Sequence, residues 1–434
     1  MDTTELKYPR ISRVWAKNFR SIENLELDLE SLTVLVGPNA SGKSNIVDVL
    51  HFISDAMNVG LDSALTSRRG DHVARRISSK RRFIDVTVGL TIDNKESTID
   101  YQFVVRLYKD ARHRVVREEV RLTFSESDAA NLHLEITNGK LTEPKLKRPK
   151  GIGAKDFESL LGRMRDSARE ITDELDVTGL AFPFQSLLAT INFFHPVHFS
   201  RSTDRFLDQF HKLREAHRFQ QNMRFYHIFP DALREPQLLS SKYPLEEHGE
   251  NLASVLADMK SKKSTYLPEL VSVLGQVVPG LKDISVTRAG GHLVIRLLHQ
   301  EGDDPKKGIW LNASQESDAT LRTLGLLVAL YQDPTPPFIA IEEPELTIHP
   351  GALSVLADLI SETSHRTTVL VTTHSPELLD RLPIDCIRSV EAHGGATIVG
   401  PVAEHQKNAV SKGLFSAGEL HRMEGLQHAT KVES

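Results

Sequence analysis

Apolar and polar side chains alternate along the first part of the chain, which is the pattern of half-buried β-strands. The alternation predicts strands at 11–19, 24–29, 83–92, 99–107, 115–124 and 132–136. These runs are typical of an antiparallel meander. Residues 32–36 form a short apolar run that suits a strand buried on both faces. Apolar residues then recur at helical spacing from Ile46 to Ile53, so a helix follows that strand.

The C-terminal third alternates between helical and strand-like segments, which indicates βαβ units and a parallel sheet. The predicted segments are 317–331, 338–341, 350–361, 367–372 and 376–382. Before them, strands at 284–288 and 293–298 flank Gly290 and Gly291, a pair suited to a hairpin turn. The middle of the chain is rich in charged residues, and its apolar residues recur at helical spacing. Helices are therefore expected at 157–175, 184–194 and 206–219.

These patterns predict an α/β fold in which the two ends of the chain build one domain. We expect residues 1–140 to carry its N-terminal part and an antiparallel β subdomain. Residues 141–281 are expected to form an inserted helical lobe, and residues 282–434 the C-terminal part of the domain.

Composition and charge disfavour disulfide-bonded proteins, membrane proteins and strongly basic nucleic-acid binders. The 434 residues carry a net charge of -5 and a single cysteine, Cys386, so no intrachain disulfide can form. No segment approaches the length of apolar sequence needed to cross a bilayer. We therefore expect a cytoplasmic protein without a membrane partner. A wholly basic nucleic-acid binder is disfavoured.

One local basic run remains as a candidate nucleic-acid contact. It consists of Arg68, Arg69, Arg75, Arg76, Lys80, Arg81 and Arg82. Such a run is able to follow a phosphate backbone. It contains no aromatic residues, and a solvated face or loop is the preferred interpretation.

A phosphate-binding loop lies between the buried strand and the helix. Its residues are Gly37, Pro38, Asn39, Ala40, Ser41, Gly42, Lys43 and Ser44, which fit the pattern G-x-x-x-x-G-K-[ST]. Glycines let the backbone wrap around phosphate oxygens, and the helix N-terminus adds partial positive charge. We expect Lys43 to contact the β- and γ-phosphates of ATP and Ser44 to ligate Mg²⁺. The predicted nucleotide-binding segment continues to Asn45.

An apolar strand at 338–341 ends in two carboxylates, Glu342 and Glu343. Strand alternation is expected to point them in opposite directions, so that they serve different purposes. Glu342 would reach the Mg²⁺ ligand shell. Glu343 would polarise the water that attacks the γ-phosphate.

With these motifs in order, the chain resembles the ABC-type ATPases of the SMC and RecF kind. It is most similar to the short bacterial branch that includes overcoming-lysogenization-defect-like ATPases. The resemblance rests on residues 14–22 before the phosphate loop, on 342–345 with His349 and Pro350, and on 372–376. It implies a P-loop NTPase head of the AAA class, with ATP and Mg²⁺ as cofactors. It also implies that His374 is the switch histidine that contacts the γ-phosphate.

The resemblance further implies an ATP-gated homodimer in which Ser317 of one subunit contacts the ATP of the other. Ser317 is also expected to N-cap the helix that buries Leu321, Leu324 and Val328. Two departures from the family pattern stand out. Glu342 replaces the usual aspartate, and Ala319 occupies a glycine position. If that position requires a positive φ, alanine costs on the order of 1 kcal/mol there and slows turnover.

The favoured function is an ATPase that acts on DNA and licenses a separate effector, in phage defence or DNA repair. The effector is expected to be separately encoded, for example a nuclease. The residues after His374 contain no acidic cluster suited to two-metal nuclease chemistry in the chain itself. Two alternatives remain open. One is a regulatory scaffold that binds ATP with little turnover, and the other is an energy-coupling subunit of a transporter.

Overall fold

The computed structural model describes most of the chain on either side of the central region. The described residues are 9–69, 83–94, 97–109, 112–124, 132–138, 140–141, 145–146, 218–241, 244–302, 304, 307–348 and 350–429, with isolated positions 155, 158 and 162. The helices predicted at 157–175, 184–194 and 206–219 lie almost entirely outside these residues. So do His349 and the basic residues from Arg75 to Arg82.

Strands dominate the N-terminal part of the described chain. Their bounds are β1 (Arg10–Phe19), β2 (Ile22–Asp28), β3 (Leu32–Val36), β4 (Phe83–Asn94), β5 (Ser97–Tyr108), β6 (His113–Phe124), β7 (Leu132–Thr137), β8 (Lys140–Leu141), β9 (Lys145–Leu146), β10 (Arg224–Tyr226), β11 (Gln237–Leu238), β12 (Leu281–Ala289), β13 (His292–Gln300), β14 (Gly308–Asn312), β15 (Phe338–Glu342), β16 (Thr368–Thr373), β17 (Ile387–His393) and β18 (Ala396–Pro401).

Helices follow the phosphate loop and fill the C-terminal part. The α-helices with defined bounds are α1 (Lys43–Asn58), α2 (Leu61–Ser67), α3 (Pro230–Arg234), α4 (Leu252–Ser261), α5 (Tyr266–Val277), α6 (Asp318–Tyr331), α7 (Leu353–Ser364), α8 (Pro376–Leu379), α9 (Glu404–Ser411) and α10 (Ala417–Met423). Short 3-10 turns occupy Ala313–Gln315, Pro350–Ala352 and Ile384–Cys386. No helix in the described ranges is long and apolar enough to cross a membrane.

A mainly parallel sheet forms the centre of the fold, with strand order β10-β15-β16-β3-β17-β18. Only β18 runs antiparallel to its neighbour. Every residue of β3 is buried, and its side chains alternate between the two faces of the sheet. Leu35 belongs to the core shared with α1, whereas Val34 and Val36 belong to the core on the opposite face. The prediction of a strand covered on both sides is confirmed.

The edge strand β10 is a feature that the sequence analysis did not anticipate. Arg224–Tyr226 lies within the segment expected to form a helical lobe, yet it pairs in parallel with β15. A strand of three residues is too short to show a periodicity of its own. Part of the segment 141–281 therefore completes the central sheet. We keep the three-part division of the chain as a proposal.

The predicted antiparallel meander is confirmed. It forms a second sheet with order β2-β1-β4-β5-β6-β7-β8, and β9 also pairs with β7. The inward face of this sheet packs on α1, which lies between the two sheets. A third, smaller sheet contains the predicted hairpin β12-β13. Gly290 and Gly291 form its two-residue turn with φ angles of +56° and +84°, which favour glycine.

The first arginine of the basic run is structural. Arg68 follows α2, and its side chain is buried against α1. Its guanidinium pairs with Asp48 at 2.8 Å and Asp55 at 2.7 Å. These contacts fix α2 to α1, so Arg68 does not contribute to a solvated face or to a nucleic-acid contact.

We predict that Arg68→Met lowers the free energy of unfolding by about 2 kcal/mol, since it leaves two carboxylates without their buried cation. Urea denaturation measures the change. Arg13→Met is the matched control, because Arg13 and Asp28 form an ion pair that is exposed on both sides. Its loss should change stability by less than ~0.5 kcal/mol. Equal effects of the two substitutions would contradict the structural role of Arg68.

Candidate functional site

Three parallel strands end at the same edge of the central sheet. Val36 of β3 pairs with Thr373 of β16, and Glu342 of β15 pairs with Thr372. The residues that follow these strands therefore emerge side by side. In α/β sheets, the carboxyl ends of the strands are where ligands bind. The phosphate loop, the acidic strand end and the switch histidine all lie at this edge.

The phosphate loop is braced from behind by the hairpin β17-β18. A side chain at Gly42 would place its Cβ 1.9 Å from Thr397 Oγ1, and Gly42 has a φ of +106°. A Cβ at Gly37 would lie 2.0 Å from the carbonyl oxygen of Val390. Both glycines are therefore required by close approach. Pro38, Asn39 and Ala40 form the exposed crest of the loop, and Ala40 has a φ of +61°.

Asn45 takes part in the same brace. Its amide donates a hydrogen bond to Ser21 Oγ at 2.6 Å, and Ser21 Oγ lies 2.6 Å from Thr397 Oγ1. Ser44 is exposed at the start of α1, and Ser41 is buried. Ser41 Oγ has no hydrogen-bond partner within the described chain.

Lys43 points into the loop. Its ammonium group donates to the carbonyl oxygens of Gly37 at 2.9 Å and Pro38 at 3.2 Å, and lies 2.6 Å from His374 Nε2. Burial lowers the pKa of Lys43, although the charges of Glu343, Glu345 and Glu342 oppose that change. Burial and the Lys43 charge also lower the pKa of His374. A neutral His374 accepts a hydrogen bond from the Lys43 ammonium group at Nε2, so its own proton is on Nδ1.

The side chains of the two carboxylates at the strand end diverge, but the expected strand alternation is not the cause. Strand β15 ends at Glu342, and Glu343 has a φ of +46°. A left-handed turn, rather than strand alternation, therefore sets the direction of Glu343. Its carboxylate lies 3.6 Å from His374 Nε2. Its backbone N–H donates to the carbonyl oxygen of Thr372 at 2.9 Å.

Glu345 holds the switch segment in place. Its Oε1 accepts hydrogen bonds from Thr373 Oγ1 and from the backbone N–H of His374, both at 2.8 Å. The other oxygen, Oε2, is buried without a hydrogen-bond partner in the described residues. Glu345 thus connects the acidic strand end to His374.

Ser317 caps α6 as predicted, since its Oγ accepts from the backbone N–H of Thr320 at 3.1 Å. The cap is exposed, and its recorded hydrogen bonds stay within its own helix. Arg234 fixes the preceding loop through the carbonyl oxygen of Glu316 at 2.9 Å and through Asp318. Ala319 lies in the first turn of α6 and is absent from the positive-φ residues of the described chain. The conformational cost expected for alanine therefore does not arise.

Two histidines near this edge were missed from the sequence. His227 follows β10, whose Tyr226 pairs with Ile341, so His227 comes next to Glu342. Burial lowers its pKa, and the Glu342 charge opposes the change. His421 on α10 also has a pKa lowered by burial and by the charges of His374 and Lys43. Neither belongs to a local motif, so only tertiary structure reveals them.

Comparison with known proteins supports the same class. Residues 32–380 match the family described as "AAA domain, putative AbiEii toxin, Type IV TA system". The chromosome partition protein Smc of Methanococcus voltae is 32% identical over 119 residues, which cover 25% of this chain and 10% of that protein. The protein of the same name from Methanocaldococcus jannaschii is 48% identical over 44 residues, 10% of this chain and 4% of that protein. The chain thus aligns with a tenth or less of these curated relatives.

Solved structures of Smc heads are similar to most of the chain. The head bound to the C-winged helix domain of ScpA has 15% identity and a TM-score of 0.48, covering 92% of this chain and 98% of that one. The Pyrococcus furiosus head bound to the C-terminal domain of ScpA has 13% identity and a TM-score of 0.46, covering 94% and 99%.

The family match spans well over half of the chain, and the motifs that define the class meet at one sheet edge. The chain belongs to this AAA-domain family and has the α/β fold of a P-loop NTPase with an additional antiparallel sheet.

Proposed function

We propose that the chain hydrolyses ATP with Mg²⁺ at the sheet edge formed by Lys43, His374 and Glu343. The convergence of these three side chains carries the proposal. Lys43 lies 2.6 Å from His374, and His374 lies 3.6 Å from Glu343, although the residues come from three separate strand ends. A cation, a histidine and a carboxylate in this order suit phosphate binding, contact with the transferred group and activation of water.

The loop fits a triphosphate. Within the described residues, Ser41 Oγ is buried without a hydrogen-bond partner, and the Lys43 ammonium binds two carbonyl oxygens and a neutral ring nitrogen. Phosphate oxygens are stronger acceptors than either, so they would draw Lys43 from the loop carbonyls. Ser44 and Glu342 would hold Mg²⁺, which neutralises charge on the phosphates. Glu342, whose side chain is longer than that of aspartate, ends β15 and lies at the same edge of the central sheet.

Glu343 is the proposed catalytic carboxylate and would orient the attacking water. His374, once released from Lys43, would donate a hydrogen bond to the γ-phosphate. The helical conformation of Ala319 removes the reason for expecting low turnover. We therefore favour an active ATPase over a scaffold. No observation on the described chain favours a transporter subunit.

The proposed active form is a homodimer that encloses two ATP molecules. Each chain has one phosphate loop and one signature helix, and Ser317 is exposed at the N-terminus of α6. A capped helix N-terminus is suited to contact a phosphate from outside. Two copies related by a two-fold axis would then present Ser317 to each other's ATP.

We further propose that the dimer acts on DNA with a separately encoded effector such as a nuclease. Several cations on the outer face of the antiparallel sheet are paired with carboxylates, as in Arg106 with Asp85 at 2.7 Å and Arg117 with Glu119 at 2.9 Å. Such pairing weakens attraction for a phosphate backbone. The remaining basic run, Arg75 to Arg82, is the preferred candidate for a DNA contact.

Lys43→Ala should weaken ATP binding by about 100-fold, because it removes charge-assisted hydrogen bonds worth about 3 kcal/mol. Titration with a fluorescent ATP analogue measures the affinity. Lys407→Ala is the control, since Lys407 contacts Asp385 at 3.4 Å just before β17, at the sheet edge opposite the phosphate loop. Unchanged affinity in Lys43→Ala would place the nucleotide elsewhere.

Glu343→Gln should retain ATP affinity and lose hydrolysis by a factor of about 10² to 10³, the usual contribution of a general base. Phosphate release under saturating ATP measures the rate, and size-exclusion chromatography with ATP should show a longer-lived dimer. Normal turnover in this variant would redirect the search for the catalytic carboxylate to Glu345.

Mixing two inactive variants tests the shared site. Lys43→Ala damages a subunit's own phosphate loop, and Ser317→Arg damages what it presents to its partner. A mixed dimer has one doubly damaged site and one intact site, so mixing should restore part of the ATPase activity. Both variants should be inactive alone. If subunits exchange and no activity returns, the two motifs do not meet across an interface.

A further inference from the structure

Arg322 is a buried arginine on the signature helix, five residues after Ser317. Its Nη1 donates to the carbonyl oxygen of Ile228 at 3.0 Å. Its Nη2 donates to the carbonyl oxygen of Glu343, also at 3.0 Å. One side chain therefore joins α6 to the backbone beyond β10 and to the backbone of the candidate catalytic residue.

This arrangement is costly for an arginine. In the described chain its guanidinium forms no ion pair, and its Nε is buried without a hydrogen-bond partner. Burial lowers the pKa of Arg322, while the charges of Glu345 and Glu343 oppose that change. A buried cation held by carbonyl oxygens contributes little to stability compared with an apolar side chain of similar size. An arginine at this position is therefore better explained by the backbone carbonyl groups that it binds.

What Arg322 holds is a strained backbone. Glu343 has a φ of +46°, a conformation that costs a non-glycine residue on the order of 1 kcal/mol or more. Such a conformation persists only where its surroundings fix it. The N–H of Glu343 is bound to the carbonyl oxygen of Thr372, and its own carbonyl oxygen is bound to Arg322. The direction of the Glu343 carboxylate depends on both contacts.

Glu345 extends the connection to the switch histidine. Its charge is the largest electrostatic influence that favours the charged form of Arg322. One of its oxygens binds the backbone N–H of His374, and the other is buried without a partner in the described residues. An unpartnered buried nitrogen on Arg322 and an unpartnered buried oxygen on Glu345 thus lie in one network, between α6 and His374.

We propose that Arg322 is a positioning residue that holds the Glu343 carboxylate of its own subunit in register with the signature helix. The proposal rests on the ATPase function proposed above. One guanidinium hydrogen bond binds the backbone of Glu343 and the other binds the backbone beyond β10, so the direction of Glu343 is fixed relative to α6. The signature helix thereby acts on the ATP of its own subunit as well as on that of its partner.

Arg322→Lys is the first test, because lysine keeps the charge and cannot bind both carbonyl oxygens in the geometry of the guanidinium fork. We expect the ATP dissociation constant to stay within about twofold and kcat to fall at least about tenfold. Arg322→Gln, which is neutral, serves as a second variant. It should likewise show a nearly unchanged ATP dissociation constant and a reduced kcat. Circular dichroism and thermal unfolding establish that each variant is folded.

Arg366→Met is the matched control. Arg366 also donates to a carbonyl oxygen of α6, that of Leu330 at 3.4 Å, but at the opposite end of the helix. It should leave both kcat and the ATP dissociation constant within about twofold of wild type. If Arg366→Met lowers kcat as much as Arg322→Lys, any disturbance of α6 has the same effect and the proposal is wrong. A parallel loss of binding and kcat in Arg322→Lys also overturns it.

The mixed dimer separates an effect on Glu343 from an effect on Ser317. In a mixture of Lys43→Ala and Ser317→Arg chains, the intact site uses the Glu343 of the Ser317→Arg chain. Adding Arg322→Lys to that chain should lower the restored activity at least about tenfold, whereas adding it to the Lys43→Ala chain should leave the activity unchanged. The reverse result would show that Arg322 shapes the signature presented to the partner. Absence of activity in wild type, or of any restoration in the parent mixture, would count against the proposed ATPase dimer and not against Arg322.

Discussion

The parallel register of β3, β16 and β15 is the constraint on which the site depends. Adjacent parallel strands deliver their following residues to the same sheet edge, at a spacing set by the hydrogen-bond ladder. Val36 pairs with Thr373 and Glu342 pairs with the preceding Thr372, so the loop lysine, His374 and Glu343 meet within hydrogen-bonding or ion-pairing range. A shift of one strand by one residue would move its side chains to the opposite face of the sheet and separate these groups. Burial of the strands on both faces therefore protects the site geometry.

Around this edge, the chain uses contacts from distant segments to hold backbone in conformations that it would otherwise avoid. The hairpin β17-β18 closes against the phosphate loop at Gly37 and Gly42, where no side chain fits. Arg322 and Thr372 hold Glu343 at a positive φ. Buried groups that have no hydrogen-bond partner in the described part of the chain, including Ser41 Oγ and Glu345 Oε2, lie beside these strained positions. Such a concentration is typical of a site arranged for a charged ligand.

The charges on the antiparallel sheet are organised differently. Its outward face places arginines beside carboxylates on the same or neighbouring strands, and Glu119 alone receives Arg117, Arg121 and His133. Its inward face is mostly apolar and covers α1, and the buried Glu118 on this face accepts a hydrogen bond from Tyr101 at 2.9 Å. This sheet therefore stabilises the helix that follows the phosphate loop, and several of its surface arginines are paired with carboxylates. Electrostatic recognition of a polyanion would need cations that are not already paired.

The sequence determined the features that depend on short-range pattern. Alternation gave the antiparallel meander, the apolar run gave β3, and Ser317 gave the cap of α6, because each follows from neighbouring residues. Tertiary structure decided what neighbouring residues do not encode. It placed Arg224–Tyr226 in the central sheet. It buried Arg68 in ion pairs that join α2 to α1. It also brought His227 and His421 towards the site. It also set the direction of Glu343 through a turn held by Arg322, a partner whose distance in sequence hides the contact. For Ala319, the sequence showed that alanine replaces a glycine, but only the structure showed that the position is helical and suits alanine.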